Sequence, residues 1–129
     1  MARAPIIRVG EVLVATVLEE LHDRDALRLE EELTASLERT GARGVLLDLT
    51  VVETVDSFLG RLIAEIAACA RLMGATTVVA GLQPAVAITL VELGLPLQGV
   101  RTALNAEKGL ALLHRLLAAG EAGERRGGG

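Results

Sequence analysis

The stretch Gly44–Gly81, "GVLLDLTVVETVDSFLGRLIAEIAACARLMGATTVVAG", decides the fold. It opens on "GVLLDLT" (Gly44–Thr50), a short Val- and Leu-rich run with strand character. "VVETVD" is a brief connection. From Ser57 the period changes. Phe58, Leu59, Leu62, Ile63, Ile66, Cys69, Ala70 and Met73 make a broad apolar stripe at helical spacing, with Arg61, Glu65 and Arg71 off it. Gly74 is the expected residue just past the helix end. "TTVVAG" (Thr76–Gly81) is a second buried strand. Strand, helix and strand in so short a span make a parallel crossover unit.

The same alternation extends on both sides. Upstream, "IIRVG" (Ile6–Gly10) and "EVLVATVLE" (Glu11–Glu19) are β-branched and apolar, and Gly10 is a natural turn between two strands. "DRDALRLEEELTASLERTG" then reads as a helix with Leu27, Leu29, Leu33 and Leu37 mostly on one face. Asp23 or Asp25 is placed to cap its start, and Gly41 to end it in the left-handed conformation. Downstream, "QPAVAITLVELG" is a helix with Pro84 in its first turn and Gly94 just past its end. "LQGVR" is a short last strand. "NAEKGLALLHRLLAAG" is the final helix, with Asn105 as N-cap and Gly120 as stop. The order β-β-α-β-α-β-α-β-α predicts an α/β fold: a mixed β-sheet, parallel after the first hairpin, packed by about four helices. Residues 1–119 form the expected single domain. The tail 120–129, "GEAGERRGGG", is expected to be disordered.

Composition narrows the function. The chain has 129 residues, half of them apolar (51%), enough for one compact core. Phe58 is the lone aromatic residue, so no set of stacking rings exists for bases. The net charge of −4 also argues against nucleic acid, whose phosphates need a basic surface. The N-terminal segment lacks the pattern of a signal peptide, because Arg8 and Glu11 interrupt any apolar core. The longest apolar stretch contains Gln83, Pro84 and Glu92 and reads as strand, turn and helix rather than a membrane span. Cys69, the one cysteine, has no internal partner for a disulfide, which fits a reducing cytoplasm. A cytoplasmic protein without nucleic-acid or membrane partners is therefore expected.

Few residues suggest chemistry. There is no dinucleotide-binding glycine fingerprint and no nucleophile elbow. In "GLPLQGVR" the glycines have Walker spacing, but Val100 and Arg101 stand where Lys and Ser/Thr would be needed. One Cys and two distant His residues offer no metal-ligand cluster, so no metal or cofactor is expected. His22 is a base or a surface group at a loop–helix junction. His114 reads as a helix surface residue, and Cys69 as a small core hydrophobe. Asp48, Glu53 and Asp56 lie at or beyond the end of the third strand, where α/β folds place ligand sites. They are either acid–base groups or loop carboxylates favoured near a helix start. Ser57 follows them. As an N-cap its oxygen would accept from the N–H of Leu59 or Gly60. As a phosphoacceptor it would add about −1.5 to −2 charge beside Asp56 and Glu53.

Three elements in order, "DSF" (Asp56–Phe58), "ARLMGA" (Ala70–Ala75) and "GLQPAVAITLVELG" (Gly81–Gly94), resemble the STAS domains of anti-sigma-factor antagonists, and most of all the RsbS-type stressosome scaffolds. The resemblance covers about Pro5–Leu117. It implies a non-enzymatic scaffold that joins RsbR-type STAS paralogues, and further copies of itself, in a large stressosome complex. It implies sequestration of an RsbT-type serine kinase, released when the kinase phosphorylates Ser57, with an RsbX-type phosphatase resetting the serine. The output would be a general-stress, sigma-B-like pathway. Asp56, Phe58, Gly81, Gln83 and Pro84 would flank the kinase-facing surface. A second phosphosite of the sensor paralogues falls at Ala80 here, so one switch is expected. A simple antagonist that binds an anti-sigma kinase without a large assembly is the alternative.

Overall fold

The computed structural model describes residues 5–18, 22–54, 56–94 and 99–127. The elements are β1 (Ile6–Val9), β2 (Val12–Thr16), α1 (Asp23–Thr40), β3 (Gly44–Asp48), α2 (Ser57–Leu72), β4 (Thr76–Ala80), α3 (Pro84–Glu92), β5 (Val100–Ala103) and α4 (Ala106–Gly127). This is the expected order. The strands form one sheet in the order β1-β2-β3-β4-β5. β1 and β2 are an antiparallel hairpin turning at Gly10 (φ 61°), and the remaining pairs are parallel.

Each parallel connection steps to the next strand in the same direction. Crossovers of one hand then bring every connecting helix to one face. The core divides accordingly. On one face Leu13, Ala15, Val45, Leu47 and Val79 pack with Leu29 and Leu33 of α1, Ile63 and Ile66 of α2, and Val86 and Leu90 of α3. On the other, Val12, Val14, Leu46, Val78 and Ala80 pack with Leu113 and Leu117 of α4. The central strand is covered on both sides, which is why "VLL" at Val45–Leu47 shows no polar alternation. α4 lies close: a Cβ on Gly109 would stand 2.6 Å from Leu46 Cδ1.

Some details depart from expectation. In α1 the inward positions are Ala26, Leu29, Leu33 and Leu37, and Leu27 is 56% exposed, because the stripe steps by three or four residues from Ala26. The N-cap of α1 is His22, and Asp25 is the residue whose carboxylate accepts from the His22 N–H, at 3.4 Å. In α2 the stripe bends off Met73 and Cys69: Ala67 is buried, Cys69 is half-buried and Met73 is exposed. α4 passes Gly120, the expected stop, and runs to Gly127. Glu121, Ala122, Glu124 and Arg125 are good helix formers, and Gly120 is not among the glycines with positive φ. Glu19 at the end of the second expected strand, Leu97 and Gln98 at the start of the last one, and residues 128–129 of the tail lie outside the described residues.

Candidate functional site at the start of α2

The C-terminal ends of β3, β4 and β5 are stitched into one surface. Asp48 closes β3, and its Oδ1 accepts from both the backbone N–H of Thr50, at 3.0 Å, and the Thr50 hydroxyl. Leu49 N donates to Ala80 O of β4 at 2.9 Å. Gly81 then turns with φ 76°, and its N–H donates to Ala103 O of β5 at 3.1 Å. The Gln83 amide reaches back and donates to Thr50 O at 3.0 Å. The "GLQP" turn and the β3–α2 connection are therefore one unit, although more than thirty residues separate Gln83 from Thr50.

α2 begins at this unit. Its N-cap is Asp56, not Ser57: Asp56 has extended backbone (φ −111°, ψ 178°), and its Oδ1 accepts from Leu59 N at 2.9 Å. Asp and Ser are both strong N-caps, and here the carboxylate, which also meets the positive helix end, takes the place. Ser57 is pushed to the first helical position. It is exposed, and its hydroxyl has no hydrogen-bond partner among the described residues. Phe58 is half-buried and packs on the main core, which fixes the helix start beside the exposed serine.

The structure brings Asp56, Ser57 and Phe58 to one end of the sheet with Gly81, Gln83 and Pro84. Gln83 is the N-cap position of α3 and Pro84 its first residue. Asp48 and Asp56 each hold a backbone N–H, and Glu53 is exposed between them. Their arrangement is that of turn- and cap-forming carboxylates rather than a converging acid–base pair. No group of three or more His, Cys, Asp or Glu suited to a metal ion occurs among the described residues. His22 is an exposed cap of α1, and His114 is exposed on α4.

Thr50 went unnoticed in the sequence. Its partners are an aspartate two residues before it and a glutamine from the next crossover, and only the first is a local signal. Beside Ser57, α1 and α2 also enclose a cavity of about 160 Å³ lined by Leu27, Glu30, Phe58, Arg61, Leu62 and Glu65. There the Glu30 carboxyl is held above its ordinary range. Partial burial is the main cause, followed by the charge of Glu65, the hydrogen bond between the two carboxyls, and the charge of Glu31.

Comparison with known proteins identifies the family. The STAS domain family model matches residues 4–105, and the chain belongs to that family. A serine-to-glutamate variant of RsbS from Moorella thermoacetica is 39% identical, covers 91% of this chain and 99% of its own, and superposes with a TM-score of 0.82. A chain from the stressosome, described as a signal integration and transduction hub, is 42% identical over 88% of this chain and 98% of its own, with a TM-score of 0.79. The RsbT co-antagonist protein RsbRA of Bacillus subtilis is 32% identical over 108 residues, which are 83% of this chain. The match spans 39% of RsbRA's length. The protein is thus a STAS domain of the stressosome RsbS and RsbR kind, on the fold of the anti-sigma-factor antagonists. No helix among the described residues is long and apolar enough to cross a membrane.

Proposed function

We propose that this protein is a stressosome scaffold that sequesters an RsbT-type serine kinase and releases it when Ser57 is phosphorylated. The observation that carries this reading is the division of labour at the start of α2. Asp56 supplies the cap, so the exposed Ser57 hydroxyl is left without a structural duty. The oxygen is available to attack the γ-phosphorus of ATP held by the kinase. ADP departs with the bridging oxygen, and the hydroxyl proton passes to the kinase. The new phosphate brings about −1.5 to −2 charge to a surface already carrying Asp56 and Glu53. The helix start tolerates it, because its dipole favours negative charge. Kinase release then follows from altered surface charge, not from refolding.

The kinase-facing surface in this reading comprises Asp56, Phe58, Gly81, Gln83 and Pro84. The hydrogen bond from Gln83 to Thr50 supports treating the two loops as one surface. RsbR-type paralogues and further copies of this chain complete the particle, an RsbX-type phosphatase resets Ser57, and the system works in the cytoplasm without catalysis by this chain. Residues 1–119 are the working unit, and the last turns of α4, which runs to Gly127, extend beyond it.

The test is incubation with an RsbT-type kinase and ATP, followed by peptide mass spectrometry. One phosphate on Ser57 is expected; phosphate elsewhere with Ser57 unmodified overturns the reading. Ser57→Ala is expected to bind the kinase and to retain it under phosphorylating conditions.

A further inference from the structure

Ser57, Arg61 and Glu65 follow one another at four-residue spacing along α2, so their side chains stack on one face. Arg61 and Glu65 also line the cavity between α1 and α2, opposite Glu30 and Leu27. Arg61 is exposed and forms no ion pair among the described residues. The two nearby carboxyls, Glu30 and Glu65, line the same cavity from α1 and α2.

A phosphate on Ser57 would find the helix start already partly committed. The Leu59 N–H is taken by Asp56, and the Asp56 carboxylate adds like charge beside the new group. The Gln83 amide is tied to Thr50 O. Within one turn, the cation on the same face is Arg61.

We propose that Arg61 is the positioning residue for phosphorylated Ser57. Its guanidinium turns back by one helical turn and donates to two phosphate oxygens, in the planar fork geometry that suits arginine and phosphate. The phosphate is thereby held along α2 at the mouth of the α1–α2 cavity. At the same time the guanidinium turns away from the α1–α2 cavity that it lines. One modification then adds charge at the serine and re-aims a guanidinium that lines the neighbouring helix–helix groove. This inference rests on the reading of Ser57 as phosphoacceptor.

The experiment installs phosphoserine at position 57 during translation, so its outcome does not depend on any kinase. Phosphorus NMR of the full chain follows the second ionisation of the phosphate, ordinarily near about pH 6. In the parent, Arg61 is expected to lower that midpoint by about half a unit relative to Arg61→Gln, with Arg61→Lys in between. Because the helix dipole and Asp56 are the same in all three, the difference reports on Arg61. Nitrogen NMR of the Arg61 side chain, with Arg71 as internal control, gives a readout without substitution. The Arg61 signal is expected to shift on phosphorylation and the Arg71 signal to stay. Equal phosphate midpoints in parent and Arg61→Gln, or an Arg61 signal unmoved by the phosphate, overturn the proposal. Absence of kinase-driven phosphate on Ser57 would instead overturn the functional reading above.

Discussion

Substituting Gly81 by alanine tests whether the two loops of the site are held by close packing. Two separable terms act at this position. The first is conformational: φ is 76°, a region that costs a residue with a Cβ about 1–2 kcal/mol. The second is steric. A Cβ on Gly81 would overlap Thr50 Oγ1 and stand 3.0 Å from Thr50 Cα. The hydroxyl can rotate away only by leaving Asp48, which loses a hydrogen bond worth about 1 kcal/mol. The Thr50 backbone cannot rotate away, so the loops must part and stretch the Gln83–Thr50 bond, a further loss of about 1 kcal/mol. The expected total is about 3–4 kcal/mol.

Gly74 is the matched control. Its φ is 80°, and nothing lies within 4 Å of a Cβ built there. Gly74→Ala therefore incurs the conformational term alone, about 1–2 kcal/mol. Urea unfolding at constant m-value measures both, since a single domain of this size is expected to unfold in two states. In a Thr50→Ala background the overlap with Oγ1 is gone but the contact with Cα remains. There Gly81→Ala is expected to cost about 1 kcal/mol less than in the parent. Equal losses for Gly81→Ala and Gly74→Ala would refute the close approach of the two loops.

Further outcomes follow from the same structure. Asp56→Ala removes the α2 cap and is expected to destabilise by about 1 kcal/mol, whereas Ser57→Ala should stay within about 0.5 kcal/mol in a urea melt. The reverse order would return the cap to Ser57. Thr77 is 2% exposed, and its hydroxyl has no hydrogen-bond partner. Thr77→Val, which keeps the shape and removes that orphan, should raise stability by about 1 kcal/mol, seen as a higher melting temperature. Glu30 titrates above its ordinary 4.5 in the folded chain, so folding favours its protonated form. Its contribution is fully present below pH 4.5 and is lost as pH rises through the folded value. Glu30→Gln should therefore gain on the parent as pH rises through that window, and parallel stability–pH curves would contradict it.

The order of elements was legible because its signals are local. Periodicity switches at Ser57, Gly74 and Gly41 stand where left-handed helix ends require them, and Asn105 caps α4 through a 2.8 Å bond to Lys108 N. What remained hidden depends on contacts distant in the chain. Leu27 and Ala26 are neighbours, and only the position of α1 against the sheet decides that alanine faces in. The pairing of Thr50 with Gln83 joins two crossovers, and neither residue carries a mark of the other. The Glu30–Glu65 pair likewise exists only because α1 and α2 lie side by side. The family resemblance supplied the expectation that Ser57 is a phosphoacceptor, which periodicity and capping rules alone left open.

The one-residue shift of the cap has the largest functional consequence. Had Ser57 been the N-cap, phosphorylation would have converted a structural acceptor into a bulky dianion and set signalling against helix integrity. With Asp56 in that role, the Leu59 N–H has a partner that modification of Ser57 would leave in place. The sequence pair Asp-Ser then reads as two functions placed side by side: a carboxylate that fixes the helix start and a hydroxyl free to be modified. On the proposed reading, the same separation lets a rigid domain carry a reversible switch. The Phe58 ring, packed on the core directly after the serine, fixes the helix start. On the proposed reading, a partner at this surface meets the same backbone before and after modification and responds to the altered charge.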